Sequence, residues 1–444
     1  MKHTRLTAVL LAALLGLTAC GGNAAAPAAS TAETSAAETN AAAPIDSSQF
    51  VPRYDTETTA SLEIAGFMGN YEALDQVMDA FNEIYPNVQF NYDHNSIHML
   101  NDYVKNNAGV DIFMVADQNV TRADLEEDYV ADFCLDLSQE DLDLSAIQPA
   151  ALNACKVDGR QLRIPVAMNP CGIVVNKTLL KNEGLEMPAN YAEFLTVLAA
   201  LKDKGYTPIQ GSEQHVYTEL VVNMAMDTLM ADDTLLPALQ AGDAKAVQAM
   251  TPVFERLGAV IDGGYTDYAL NSTFGTDNYD STIMAFFEGD MPFYVCNAEC
   301  FSGMKKRESK SENYSADPFE YEFLYAPLGD NGVYAYTEPW YGFAVNKNAD
   351  EKDMAVEFLR FMTCTDQIEK MASIKGMPAV NVNAVDERYP GIKNIPNVEA
   401  DYAADGSIPG TIWGSFAGTC IAYGAGEYTT PAQAAEAFVA ACKQ

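Results

Sequence analysis

Strand-like and helix-like apolar patterns alternate near the start of the folded part of this chain. Residues 61–67, 88–92 and 110–115 are short apolar runs typical of buried strands. The residues between the first two runs have helical spacing: Leu74, Val77, Met78, Phe81 and Ile84. Pro86 then ends this helix. Alternating strands and helices predict a parallel sheet with helices on its faces, so we expect an α/β fold.

Polar and aromatic residues follow two of these predicted strands at the point where each strand ends. Asn70 and Tyr71 come after the first strand, and Asp117 and Gln118 come after the third. Ligands of parallel sheets gather at the carboxyl ends of the strands. These four residues are therefore predicted to bind a ligand. Asp117 has an alternative role as the cap of a helix that begins near Thr121.

The amino terminus has the pattern of an export signal. Residues 1–5 carry positive charge, and residues 6–19 form an uncharged apolar run that is too short for a membrane span. Leu17-Thr18-Ala19-Cys20 resembles a bacterial lipobox. Residues 1–19 are therefore predicted to be a signal peptide, and Cys20 is predicted to carry acyl chains. The alternative is an ordinary secretory signal followed by an incidental cysteine.

The segment after Cys20 consists mainly of Ala, Thr, Ser, Pro and Glu, and few of its residues are large enough to enter a core. This composition predicts a disordered tether, which we place at residues 20–56. No second apolar stretch is long enough to span a bilayer, so the lipid is expected to be the only membrane anchor. The expected location is the outer face of the bacterial cytoplasmic membrane.

The chain is strongly acidic, with a formal net charge of −36. A phosphate backbone repels such a surface, which argues against a nucleic-acid partner.

Of the nine cysteines, all but Cys20 lie in the folded part, and their apolar neighbours favour buried thiols over disulfides. Cys296 and Cys300 are the best candidates for a local bridge.

The middle of the chain contains an apparent break that is followed by helices. Residues 164–176 form two apolar pieces separated by Asn169-Pro170-Cys171-Gly172, and this break indicates a crossing between two lobes. Helical patterns cover residues 191–201, 216–230, 237–250 and 252–261. The central half of the chain is therefore expected to be rich in helices.

Several ordered stretches resemble the extracellular solute-binding proteins of ABC importers, the family that includes the maltose-binding type. The stretches that carry the resemblance are Ile164-Pro-Val-Ala167, Val175-Asn-Lys177 through Pro188, Tyr191-Ala-Glu-Phe194, Leu201-Lys-Asp-Lys-Gly205, Met284-Ala-Phe-Phe-Glu-Gly-Asp-Met-Pro-Phe-Tyr294, Tyr325-Ala-Pro-Leu-Gly329, Trp340-Tyr-Gly-Phe-Ala-Val-Asn-Lys347 and Gly376-Met-Pro-Ala379. Together they cover roughly residues 60–440.

This resemblance implies a two-lobed, periplasmic-binding-protein-like fold of type II with a ligand cleft between the lobes. Crossings between the lobes are expected near residues 169–172, 338–342 and 377–380. Lobe 1 would comprise residues 57–168 and 341–378, and lobe 2 residues 169–340 and 379–444. The resemblance also implies that a monomer without a cofactor captures a small solute by hinge closure and delivers it to an ABC permease.

The resemblance further indicates which residues meet the solute. A sugar needs aromatic faces to stack on its rings and polar groups to bind its hydroxyls. The aromatic candidates are Trp340, Tyr341, Trp413 and Tyr71. The polar candidates are Glu338, Asn297, Glu299, Glu213 and His215. Each could instead pack in a core or cap a helix. Residues 295–300 contain no tryptophan where many sugar binders have one, which leaves a smaller or more polar solute open.

Other functions lack clear motifs. Three histidines, His94, His98 and His215, lie outside the signal, and no Gly-x-Ser-x-Gly motif accompanies them, so we predict no catalytic residues. A carboxylate pair for glycoside hydrolysis stays open because acidic residues are abundant. His94 and His98 have a spacing that suits zinc, but no third ligand is apparent, so we predict no metal site. The predicted solute is a mono- or oligosaccharide, and the alternative is a peptide, polyol or polyamine.

Overall fold

The computed structural model describes residues 45–66, 71–93, 109–116, 133–274, 279–381, 387–395 and 397–443. The strands are β1 (Ala60–Ala65), β2 (Val88–Asp93), β3 (Ile112–Ala116), β4 (Lys156–Val157), β5 (Arg160–Gln161), β6 (Ile164–Asn176), β7 (Ile209–Gln210), β8 (Phe293–Asn297), β9 (Tyr321–Leu324), β10 (Val333–Val345) and β11 (Val398–Ala403).

The helices are α1 (Glu72–Asn82), α2 (Pro149–Ala154), α3 (Lys177–Asn182), α4 (Tyr191–Asp203), α5 (Val222–Met230), α6 (Leu235–Ala241), α7 (Ala244–Asp262), α8 (Tyr268–Asn271), α9 (Tyr279–Phe286), α10 (Ala298–Ser302), α11 (Lys305–Glu308), α12 (Glu312–Ala316), α13 (Lys352–Met362), α14 (Thr365–Lys375), α15 (Pro390–Lys393), α16 (Gly410–Gly424) and α17 (Pro431–Ala441). Short 3₁₀ turns occur at Ser47–Gln49 and Leu137–Gln139, and a π-helical turn at His215–Glu219.

The amino-terminal strands form a parallel unit, as predicted. β1 pairs in parallel with β2 on one side and with β3 on the other. Helix α1 connects β1 to β2 and buries Leu74, Val77 and Phe81, three of the residues whose spacing predicted it. The order of strand, helix and strand is therefore confirmed, because the apolar periodicity of each segment matches the face that it buries.

Two long strands, β6 and β10, run antiparallel to each other through the middle of the sheet. The first half of β6 pairs with β10, and its second half pairs with β8 and β9. β10 pairs with β11 near its start and with β3 near its end. The strand order is β2-β1-β3-β10-β6-β8-β7, with β11 added to β10 and β9 added to β6. The two long strands therefore join β1, β2 and β3 to β7, β8 and β9 within one sheet.

The interruption predicted at residues 169–172 is wrong, because β6 runs continuously from Ile164 to Asn176, whereas the crossing between lobes expected there stays a prediction. Pro170, which has no N–H to donate, lies where the pairing passes from β10 to β8. Gly172 is required by a close approach, since a Cβ there would lie 2.3 Å from the carbonyl oxygen of Leu324. Both residues that suggest a break are thus accommodated by the change of partner strand.

Apolar side chains pack into two large cores and a smaller third one. The first core surrounds α1, α13 and α14, where the rings of Phe81 and Phe358 have centroids 5.3 Å apart. The second core lies among α4 to α7, α16 and α17, where Phe254 packs against Phe416 at a centroid distance of 5.9 Å. β6 and β10 contribute residues to both large cores, so the two packing units meet along these strands.

Residues 45–56 pack on the folded domain, so the predicted end of the tether at residue 56 is corrected. Phe50 is buried against Phe361, with ring centroids 5.2 Å apart. The backbone N–H of Ser47 donates to Asp366 Oδ1 at 2.7 Å, next to the start of α14. Residues 45–56 therefore belong to the folded part of the chain.

One predicted helix boundary also differs from the structure. The pattern predicts that Pro252 begins a helix, but this residue lies inside α7. The observed boundary is at Gly242, whose φ of 70° is left-handed, and at Asp243, whose side chain accepts the N–H of Lys245 at 3.0 Å. A left-handed glycine and an aspartate cap end one helix and begin the next more effectively than an internal proline does.

The region predicted as a helix over residues 216–230 is divided in two. The π-helical turn at His215–Glu219 comes first, and α5 begins at Val222.

Cys296 and Cys300 are both buried thiols, so the local bridge for which they are the best candidates is not formed. Among the helices within the described ranges, none has the length and apolar character needed to cross a bilayer.

Candidate functional site

The indole of Trp340 is enclosed at the place where β10 passes from one core to the other. Its Nε1 donates a hydrogen bond to Glu299 Oε2 at 2.8 Å. The ammonium of Lys375 lies over the ring, with 4.8 Å between Nζ and the ring centroid. Tyr341 packs edge to face against the same indole, at a centroid distance of 4.3 Å. Only 8% of Trp340 is exposed, so the protein itself occupies most of its surface.

Two of the predicted polar residues lie at the carboxyl end of β8, where α10 begins. The side-chain oxygen of Asn297 accepts the N–H of Cys300 at 3.1 Å and so caps the helix. Its amide nitrogen donates to Glu219 Oε1 at 3.1 Å. Glu299 lies in the first turn of α10, and its backbone N–H donates to Asn169 Oδ1 at 3.0 Å. These bonds fix Glu299 against the middle of β6.

Burial changes the protonation of the groups around Asn297. Burial lowers the pKa of His215 to about 4, although the charge of Glu299 opposes this shift. Burial raises the pKa of Glu219 to about 8; the hydrogen bond from Asn297 opposes the rise and the charge of Glu299 adds to it. Both groups are therefore neutral near pH 7. The contact between His215 Nε2 and Glu219 Oε1, at 3.5 Å, is then a contact between uncharged side chains and not an ion pair.

These two pKa shifts predict how stability depends on pH. The folded pKa of Glu219 lies above its ordinary 4.5. The stability that Glu219 contributes to the folded state is therefore lost as pH rises from 4.5 to about 8. The folded pKa of His215 lies below its ordinary 6.5, so the stability that His215 contributes is lost as pH falls from 6.5 to about 4. Of these two groups, only Glu219 therefore changes the folding stability above pH 6.5. We expect the free energy of unfolding to fall by about 2 kcal/mol between pH 6.5 and pH 8.

Glu219→Gln is the matched variant, since glutamine keeps an oxygen that can accept from Asn297 but does not titrate. Urea unfolding of both proteins at the two pH values measures the difference. A variant whose stability declines with pH as steeply as that of the wild type would contradict the assignment.

Two of the predicted tyrosines meet beside the enclosed indole. The hydroxyl groups of Tyr71 and Tyr341 share a hydrogen bond, and the rings lie edge to face with centroids 5.8 Å apart. Tyr341 pairs in register with Ala116, so it lies at the carboxyl end of β3, where the sequence predicts a site. Other predicted or weighed residues lie outside the described residues: Asn70, Asp117, Gln118, His94, His98 and Cys20.

A cavity of about 220 Å³ lies beside the first half of β10. Its lining includes Tyr336, Glu338 and Trp413, together with residues 404–410. Trp413 is half-buried in the first turn of α16, and its ring centroid is 6.3 Å from that of Tyr336. Glu338 pairs in register with Asn169, the residue that holds the start of α10, so the cavity and the enclosed indole occupy adjacent positions on the crossing strands.

Glu213 has a different partner from the other predicted residues. It hydrogen-bonds with the hydroxyl of Tyr268 and thereby raises the pKa of that tyrosine. A second, larger groove of about 560 Å³ lies beside Tyr206, Phe287 and Tyr314, and its lining contains none of the predicted site residues. The structure therefore brings together the candidates near β8 and β10 and leaves Glu213 apart.

Sequence reasoning misses two residues of this arrangement, Glu219 and Lys375. Glu219 lies 78 residues before Asn297, its hydrogen-bond partner, and Lys375 ends a helix that follows Trp340 in the chain. No local pattern connects such distant positions. The one local signal is that Lys375 lies two residues before Met377, where the expected third crossing begins.

The sequence model of a family described as bacterial extracellular solute-binding protein matches residues 76–406 of this chain. This match covers most of the described structure, including the strands that carry Trp340, Glu338 and Asn297. A comparison with curated protein sequences finds no match.

Solved structures share the fold at low sequence identity. A protein from a study of xylan utilisation by Caldanaerobius polysaccharolyticus has a TM-score of 0.65 at 17% identity, covering 85% of this chain and 99% of that one. The GacH receptor of Streptomyces glaucescens, described unliganded and with acarbose, has a TM-score of 0.64 at 15% identity, covering 87% and 98%. A sugar transporter from Bacillus licheniformis in complex with stachyose has a TM-score of 0.60 at 17% identity, covering 86% and 98%. At these identities the likeness shows the fold alone, which is the predicted two-lobed α/β fold of type II periplasmic binding proteins.

Proposed function

Because this chain belongs to the bacterial extracellular solute-binding proteins, we propose that it captures a small carbohydrate, a mono- or oligosaccharide, between its two lobes. In this role the loaded protein delivers its solute to the transmembrane subunits of an ABC permease. It acts as a monomer, without a cofactor and without catalysis. Acylation of Cys20 after removal of residues 1–19 attaches it to the outer face of the cytoplasmic membrane, which the lipobox-like Leu17-Thr18-Ala19-Cys20 supports.

The observation that carries the carbohydrate proposal is the composition of the cavity beside β10. Trp413 supplies an aromatic face that is only half-buried, with Tyr336 packed beside it, and Glu338 supplies a carboxylate, all within one lining. The C–H faces of a sugar ring pack on aromatic rings, and its hydroxyls donate to carboxylate oxygens. The volume of about 220 Å³ is smaller than the roughly 300–1,000 Å³ of sites for drug-sized ligands, so this conformation suits a small solute.

The long strands support a capture that works by relative movement of the lobes. In the proposed division, residues 57–168 with 341–378 form one lobe and residues 169–340 with 379–444 form the other. β6 and β10 pass between these parts, and the cavity and the enclosed indole both lie at that passage. A solute that binds residues of both parts favours the closed arrangement, because it gains contacts there that the open arrangement lacks. Two of the similar structures are described in complex with acarbose and with stachyose, which supports a sugar as the solute.

A thermal-shift panel tests the proposal. The chain from Gly21 on, which lacks Cys20, is melted with sugars, oligosaccharides, peptides, polyols and polyamines. A ligand at one hundred times its Kd stabilises the folded state by about 2.7 kcal/mol, which is a readily measured rise in Tm. Stabilisation by one class of sugar supports the proposal. Stabilisation by a non-sugar solute alone would replace the carbohydrate with that solute, and turnover of a glycoside in the same samples would indicate a hydrolase.

A further inference from the structure

The two tryptophans of this chain occupy different environments, although the sequence suggests the same role for both. The N–H of the Trp340 indole donates to Glu299, the Lys375 ammonium lies over its face, and the ring of Tyr341 packs nearly perpendicular to it. Trp413 lines the cavity and is only half-buried. A sugar ring could stack on the covered face of Trp340 only by displacing Lys375, whereas Trp413 already lines an open volume.

The contacts of Trp340 join three separate elements. The indole belongs to β10 and Glu299 to the first turn of α10, and Lys375 is the last residue of α14. Burial raises the pKa of Glu299 and the charge of Lys375 opposes that rise; burial lowers the pKa of Lys375 and the charge of Glu299 opposes that fall. Each charge therefore offsets part of the cost of burying the other. An ammonium over an indole face is in addition attracted by the negative charge of the ring face.

We propose that Lys375 and Glu299 clamp the Trp340 indole, so that Trp340 is a positioning residue at the crossing and Trp413 is the ring on which the solute stacks. Lys375 is thereby assigned a part in solute capture that the sequence does not suggest. The role of Trp413 rests on the proposed function, whereas the clamp itself does not depend on which solute is bound. The two parts can be tested separately, because this chain has only two tryptophans.

Single-tryptophan variants report on each ring by fluorescence. Trp413→Phe leaves Trp340 as the emitter, and Trp340→Phe leaves Trp413. Quenching by acrylamide measures the access of solvent to each indole. We expect Trp340 to be quenched severalfold less than Trp413 without solute. Addition of a sugar identified by the thermal-shift panel should protect Trp413 and leave the quenching of Trp340 unchanged. Protection of Trp340 by the sugar, with Trp413 unaffected, would overturn the proposal.

The clamp is tested in the Trp413→Phe background without any solute. Lys375→Met removes the ammonium but keeps an unbranched apolar side chain, and we expect it to increase the quenching of Trp340 severalfold. Lys375→Arg should restore the wild-type quenching, because a guanidinium also lies over aromatic faces. Equal quenching in all three proteins would refute the clamp whatever the panel shows. If Lys375→Met fails to fold, Glu299→Gln, which keeps an acceptor for the indole N–H, is measured instead, and unchanged quenching there would refute the charged clamp.

In the otherwise wild-type protein, the effect of Lys375→Met on sugar binding distinguishes a positioning role of Trp340 from a stacking role. A positioning role predicts severalfold weaker sugar binding, rescued by Lys375→Arg. A stacking role predicts unchanged or tighter binding, since the indole face becomes available. A failure of the proposed function would appear as no binding by the wild type, while the quenching comparison would still decide the clamp.

Discussion

Replacing Trp413 with alanine is expected to weaken carbohydrate binding by about 2 kcal/mol or more, which is roughly a 30-fold rise in Kd. The physical reason is the loss of the largest aromatic face in the lining of the cavity beside β10. Tyr336, its neighbour in that lining, is buried and cannot replace the lost surface. Isothermal titration of the sugar found in the thermal-shift panel measures the change directly.

Two controls separate this loss from a general effect on folding. Trp413→Phe keeps a ring, so it should retain most of the affinity. Tyr428→Ala removes another partly buried aromatic of the second core, outside the cavity lining, and should leave Kd within a few-fold of the wild type. Binding by Trp413→Ala as tight as that of the wild type would place the stacking surface elsewhere.

Replacing Glu357 with alanine is expected to cost about 3–5 kcal/mol of folding free energy. The Glu357 side chain is 0% exposed. Its oxygens accept hydrogen bonds from the Tyr85 hydroxyl at 2.8 Å, the Arg53 backbone N–H at 3.0 Å and Arg360 Nε at 2.9 Å. Burial alone would raise the pKa of Glu357, but the bonds from Arg360, Arg53 and Tyr85 hold it below its ordinary value. Removing the carboxylate leaves these donors without their acceptor.

Urea unfolding measures this cost, and an exposed ion pair supplies the control. Lys177→Ala breaks a pair with Glu322 at 2.9 Å in which the lysine side chain is 50% exposed, so a loss of about 1 kcal/mol or less is expected. Glu357→Ala and Lys177→Ala with equal effects would show that the hydrogen bonds of Glu357 contribute little. Because residues 45–56 pack on the same part of the protein, the Glu357 variant should also expose this segment to proteases earlier.

Local periodicity predicts the parts of this fold in which each segment buries one regular face. The first strands and α1 are examples, since the spacing of Leu74, Val77 and Phe81 is the spacing of the residues buried in the structure. Local signals fail where a breaker residue is accommodated by tertiary context. Pro170 interrupts the pattern of β6, yet the strand continues because its partner changes at that point.

The candidate site is predictable in its residue types but not in its connections. Glu299, Asn297 and Trp340 are predicted to be site residues from a resemblance, and this stays a prediction. Their contacts with one another and with Glu219 and Lys375 arise from elements far apart in the chain. The enclosure of Trp340 is a property of three packed elements, and no single segment of sequence encodes it. For the same reason the difference between Trp340 and Trp413 becomes visible only in the structure.

The two long strands cross with almost no space between their backbones and their neighbours. A Cβ at Gly342 would lie 2.1 Å from the carbonyl oxygen of Ile164, just as one at Gly172 would meet Leu324. A slide of one strand by a single residue would bring a bulky side chain into these gaps and would turn every side chain to the opposite face. Sliding of either strand is therefore blocked at these two glycines, so an opening of the proposed lobes would have to twist or bend β6 and β10. In the proposed capture mechanism, the resistance of these two strands to twisting would then set how readily the protein reopens and releases its solute.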